Sequence, residues 1–96
     1  MVAADYIFER ELTTQRPAGG KIDTARIIQL ENGEWFVTVR VNWRSAVEFS
    51  VYLFDKKKLK TYLRLSNAVR HIVLDYDYDE PMIIVPHPTL REKNNF

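Results

Sequence analysis

The stretch Arg26-Ile27-Ile28-Gln29-Leu30-Glu31-Asn32-Gly33-Glu34-Trp35-Phe36-Val37-Thr38-Val39-Arg40-Val41-Asn42-Trp43 decides the fold. Asn32-Gly33 lies between apolar runs and can supply the two positive φ angles of a type I′ turn, so a hairpin is expected there. Beyond the turn, Trp35, Val37, Val39, Val41 and Trp43 alternate with Phe36, Thr38, Arg40 and Asn42 at a period of two, which predicts a long half-buried strand. After the polar break Arg44-Ser45-Ala46 the alternation resumes, with Val47, Phe49, Val51 and Leu53 against Glu48, Ser50, Tyr52 and Phe54. A second hairpin follows from it.

Moving outward, Asp55-Lys56-Lys57-Lys58 reads as a turn, because four consecutive charges resist burial, and Leu59 to Leu63 as a short fourth strand whose lysines protect an edge. From Ser66 the period changes. Leu65, Ala68, Val69, Ile72, Val73 and Tyr76 recur at spacings of three and four, which predicts an amphipathic helix capped by Ser66 and ending near Tyr76. Pro81 bars its continuation, and Met82-Ile83-Ile84-Val85 reads as a buried strand stopped by Pro86.

The expected fold class is therefore α+β: an antiparallel sheet of four to five strands, in the order ββββαβ, with one helix packed on the odd-numbered face. The core domain is expected over 24–87. Residues 1–23 form an N-terminal segment, in which Asp5 to Leu12 reads as an extra strand or a short helix, followed by a flexible linker at Arg16-Pro17-Ala18-Gly19-Gly20. Residues 88–96 lack a core pattern and are expected to be a mobile tail.

The chain has 96 residues, 46% of them hydrophobic, which suits one domain. Its 14 Lys/Arg and 13 Asp/Glu give a net charge of +1, too little for polyanion binding on bulk charge, so any charge argument is local. The absence of cysteine excludes disulfides, thiolate catalysis and Cys-containing zinc sites. With no signal-like N-terminus and no long apolar run, the expectation is a cytoplasmic protein without membrane association.

Catalysis is not expected. Ser45 reads as a turn residue and Ser66 as a cap, and neither His71 nor His87 sits in a nucleophile-and-base context. Asp75-Tyr76-Asp77-Tyr78-Asp79-Glu80 begins like a calcium loop, yet Glu80 stands where the sharp turn needs glycine and Pro86 where a bidentate Glu is required. No metal, cofactor or small-molecule substrate is implied, and three dispersed glycines make no phosphate loop.

Charge is distributed unevenly. Lys56 to His71 holds six Lys/Arg (Lys56, Lys57, Lys58, Lys60, Arg64, Arg70) and no acid, whereas Asp75 to Glu80 holds four acids and no base. Arg40, Tyr52, Phe54, Lys56, Lys57, Lys58, Lys60, Tyr62 and Arg64 are the candidate interaction residues. Rings interleaved with cations suit a protein interface, where aromatics and Arg are enriched. The same residue types suit single-stranded nucleic acid, with bases on rings and phosphates on cations. A third reading is that the N-terminal segment covers this face and buries its aromatics.

The ending from Val51 to Val85 runs from a strand through a basic turn and a short strand into Leu65-Ser66-Asn67-Ala68-Val69-Arg70-His71-Ile72, an aromatic-acidic helix end, then Pro81-Met82-Ile83-Ile84-Val85. It resembles the small accessory proteins encoded on bacterial plasmids beside partition ATPases and other maintenance functions. The resemblance covers about a third of the chain and carries no functional residue across. It implies a non-enzymatic companion of other proteins or of DNA in plasmid or mobile-element maintenance. The expected function is thus a protein-binding accessory module, partnered by another protein or by itself as a homodimer. The alternative is binding of single-stranded nucleic acid or DNA phosphates through the basic 56–71 region and the aromatic outer sheet face.

Overall fold

A computed structural model describes residues 5–89. The chain forms β1 (Tyr6–Phe8), α1 (Glu9–Leu12), β2 (Ile22–Gln29), β3 (Trp35–Val41), β4 (Phe49–Leu53), β5 (Lys58–Leu59), β6 (Thr61–Tyr62), α2 (Leu65–Leu74) and β7 (Ile83–Val85). Seven strands make one sheet in the order β1-β4-β3-β2-β7, with β5 beside β4 and β6 beside β3. The sheet is mixed: β1 runs parallel to β4 and β7 parallel to β2, while the remaining pairs are antiparallel.

This corrects the expected four-to-five-stranded antiparallel sheet with one helix. Each parallel strand reaches its partner through a helix-containing excursion, which antiparallel hairpins do not need and parallel pairing does. The N-terminal stretch yields both a strand and a helix, and Ile7 and Leu12 belong to the same buried core as Val39 and Ile72. Lys60 divides the expected fourth strand, so that Leu59 pairs with Tyr52 and Tyr62 with Trp35.

The hairpin between β2 and β3 closes differently from a two-residue type I′ turn. Gly33 N–H donates to Leu30 O at 2.9 Å, Leu30 N–H to Glu34 O at 2.7 Å, and only Gly33 has positive φ, at 93°. These features define a three-residue loop in which glycine takes the left-handed position. The Asn32 side chain instead accepts Glu34 N–H at 2.9 Å.

Helix α2 starts at Leu65 with Arg64 as its extended N-cap residue, and no side chain caps it. The expected Ser66 cap lies inside the first turn, and the helix stops at Leu74, two residues before Tyr76. Its apolar stripe lies on the sheet: Ala68 and Ile72 are buried with Ala25, Ile27, Val37, Val39, Phe49 and Val51. Leu12 at the end of α1 enters this core too, so both α1 and α2 lie on the one sheet face and neither covers the other. The expected mobile tail lies, from residue 90 onward, outside the described residues.

Candidate functional site

On the uncovered face, strand register brings aromatic side chains together. Tyr6 stands beside Ser50 and Phe8 beside Tyr52, opposite in parity to the buried Ile7 and Val51. The ring of Tyr6 lies 4.8 Å from that of Tyr52 and 5.3 Å from that of Phe8, and Phe8 meets Phe54 edge-on at 5.1 Å. Two cations cover the end of this strip, with the Arg10 guanidinium 3.3 Å and Lys57 Nζ 3.8 Å from the Phe54 ring centre. Lys57 is placed there by its left-handed backbone, φ 53°, in the turn between β4 and β5. Tyr6 and Phe54 remain 45% and 38% exposed, large values for aromatic side chains with this many neighbours. A hollow of about 340 Å³ lined by Asp5, Tyr6, Phe8, Arg44 and Phe49 opens beside the strip.

The sequence-predicted residues divide. Tyr52, Phe54 and Lys57 lie in the strip, with Lys56 exposed in the same turn and Lys58 exposed at the start of β5. Arg40 bonds Ala46 O at 3.3 Å at the other end of β3, and Arg64 sits exposed at the start of α2. Lys60 and Tyr62 belong elsewhere: Lys60 Nζ is 3.9 Å from Glu9 Oε2 and 5.1 Å from the Tyr62 ring centre. Tyr6, Phe8 and Arg10 complete the strip and were not among the candidates. The alternation of Tyr6 and Phe8 is visible in the sequence, but their parallel pairing with β4 is a long-range contact.

Lys60 and Tyr62 lead into a second cluster, on the helical side. His71 is held through both ring nitrogens: Nδ1 pairs with the Tyr62 hydroxyl, and Nε2 lies 2.6 Å from Asp75 Oδ2 and 3.2 Å from Glu9 Oε2. The fully buried Tyr76 donates its hydroxyl to Glu9 Oε2 at 2.8 Å. Burial pushes the Tyr62 and Tyr76 phenols well above the ordinary tyrosine value, so both stay neutral hydrogen-bonding groups. Arg16 donates to the Tyr76 carbonyl, so the post-helix turn is held from the N-terminal side as well. A depression of about 250 Å³ lined by Asn67, Arg70, His71, Leu74 and Asp75 lies on the outer side of this cluster. With both ring nitrogens engaged internally, His71 offers no nitrogen to a molecule in that depression; it joins α1, β6 and α2. The His71/Asp75 spacing of four on a helix was readable in sequence, whereas Glu9 was not.

A third polar arrangement fixes α1. Glu11 accepts Arg44 Nη2 at 2.5 Å and Trp43 Nε1 at 2.7 Å, and the Arg44 hydrogen bond holds its carboxyl below the usual carboxylate range. On the uncovered face, Arg26 Nη1 donates to Glu48 at 3.1 and 3.2 Å, and Thr38 Oγ1 donates to Glu48 Oε2 at 2.7 Å. These pairs leave the middle of that face polar, with the aromatic strip at one side.

Set against family models, curated proteins and solved structures, the chain matches none of them. No helix among the described residues is long and apolar enough to cross a membrane.

Proposed function

We propose that the chain is a non-catalytic binding module whose working surface is the Tyr6–Phe8–Tyr52–Phe54 strip with Arg10 and Lys57, and whose partner is an acidic protein surface. The observation that carries this reading is the position of both cations over a partly exposed aromatic cluster beside a hollow. Aromatic rings give large contact area at low entropic cost, and Arg and Lys select a partner bearing carboxylates. An apolar partner side chain fits the hollow, while its acids meet Arg10, Lys56, Lys57 and Lys58. The accessory role implied by the plasmid-protein resemblance is compatible with such a surface.

The arrangement favours protein over single-stranded nucleic acid. Base stacking needs a free ring face. Phe54 already has two cations over its ring, and Tyr6, Phe8 and Tyr52 turn edges and tilted faces towards one another. Fluorescence anisotropy at about 50 mM salt, where charge contacts are strongest, separates the readings. The three probes are an Asp/Glu-rich peptide with interspersed Phe and Leu, a Lys-rich peptide of equal length, and a single-stranded oligonucleotide. The expected result is binding of the acidic peptide alone, lost in the Tyr6→Ala and Lys57→Glu variants. Tighter binding of the oligonucleotide would transfer the surface to nucleic acid, and no binding of the acidic peptide would overturn the proposal.

A further inference from the structure

The cluster around His71 lies one residue away from the aromatic strip. Glu9 stands between Phe8 and Arg10, so the side chain that meets His71 is flanked in the chain by two members of the strip. Nε2 of His71 faces two carboxylates at once, Asp75 from the end of α2 at 2.6 Å and Glu9 from α1 at 3.2 Å. A neutral imidazole carries a single N–H. With the Tyr62 hydroxyl donating to Nδ1, that proton sits on Nε2 and goes to the nearer carboxylate, that of Asp75. A second proton turns the ring into a cation shared by both acids.

The groups facing His71 suit that cation. Beside Glu9 and Asp75 stand Lys60, whose Nζ is 3.9 Å from Glu9 Oε2, and the Tyr62 and Tyr76 phenols, which burial keeps neutral. Arg16 is taken up by the Leu12 and Tyr76 carbonyls, and Arg70 is exposed on the outer rim. Two carboxylates against one lysine leave one negative charge, which an imidazolium cancels. We infer that His71 is a proton-operated latch for the strip: the imidazolium draws Glu9, and with it α1, against α2, and so holds Phe8 and Arg10 in the geometry that receives an acidic segment. This inference rests on the binding proposed for the strip and concerns its regulation.

The coupling is short and local. Helix α1 has four residues and no side-chain cap, so its place is set by what its side chains hold. Leu12 is anchored in the core, and Glu11 is held by Arg44 and Trp43, an arrangement whose charges do not change between about pH 6 and 8. Glu9 is the anchor at the end next to the strip, and its partner is a histidine, the side chain whose charge changes in that range. The contacts it steadies, Arg10 at 3.3 Å over the Phe54 ring and Phe8 against the same ring at 5.1 Å, fall off steeply with displacement. Arginine, lysine and an acidic ligand all keep their charges from about pH 6 to 8. The attraction is therefore constant over that range, and what the proton alters is the placement of the groups that exert it.

Anisotropy titrations of the Asp/Glu-rich peptide at about pH 6 and about pH 8 test the latch on the full chain. The wild type is expected to bind about 5-fold more tightly at the lower pH. His71→Gln keeps hydrogen-bonding groups but takes no charge, and Glu9→Gln keeps the histidine but removes the carboxylate it draws. Both variants are expected to bind equally at the two pH values, with circular dichroism confirming that each is folded. His87→Gln, which removes the other histidine, is expected to keep the wild-type pH dependence. Equal wild-type affinity at the two pH values would overturn the latch and leave acidic-peptide binding standing, as would a pH dependence that survives in Glu9→Gln. Absence of binding at both pH values would remove the strip reading and the latch together.

Discussion

Tyr76 is fully buried, and its hydroxyl meets a carboxylate rather than water. Removing that hydroxyl leaves Glu9 with one donor fewer, so Tyr76→Phe is expected to cost about 1–3 kcal/mol in urea unfolding at neutral pH. The effect has a pH signature. In the unfolded chain the phenol ionises near pH 10, while in the fold burial raises that value. The folded state therefore keeps a proton that the unfolded state releases, so the contribution is complete below about pH 10 and is lost as the pH climbs past it. The stability gap between wild type and Tyr76→Phe is expected to narrow over that range. Equal stability of the two proteins at neutral pH would show that the hydroxyl does not hold the cluster together. None of this was legible in the sequence, because Glu9 and Tyr76 are 67 positions apart.

At the scale of elements, α2 lacks a side-chain cap although its N-cap residue, Arg64, has the extended backbone that a cap requires, φ −125° and ψ 136°. Arg64→Asp is expected to stabilise the fold by about 1 kcal/mol, since the carboxylate can accept an orphan N–H and also complements the helix dipole. A thermal melt with no upward shift would count against this account. The same helix marks how far patterning can be trusted. Its apolar stripe, the alternation of β3 and β4 and the Asn-Gly loop were legible because each is a local period or turn preference. The parallel pairs β1/β4 and β2/β7 were not legible, since strands of three residues carry no measurable period and their partners are set by distant contacts. The candidate surface divides on the same line: Tyr52, Phe54 and Lys57 came from one hairpin, while Tyr6, Phe8 and Arg10 needed the parallel pairing.

On the scale of the whole molecule, the charged aromatic strip on β1 and β4 and the uncharged strand β7 occupy opposite ends of one sheet, with β3 and β2 between them. The middle of the uncovered face is taken up by Arg26, Thr38 and Glu48, whose mutual bonds give a docking partner little to capture.

That strand order also makes residues 6–12 a part of the core rather than an appendage. β1 comes first in the sequence yet forms the sheet edge beside β4, and Ile7 and Leu12 reach the same buried cluster as Val39 and Ile72. Cutting the chain before Ile22 removes the strip and part of the core in one step, so such a fragment is expected to melt below the full chain as well as to lose acidic-peptide binding.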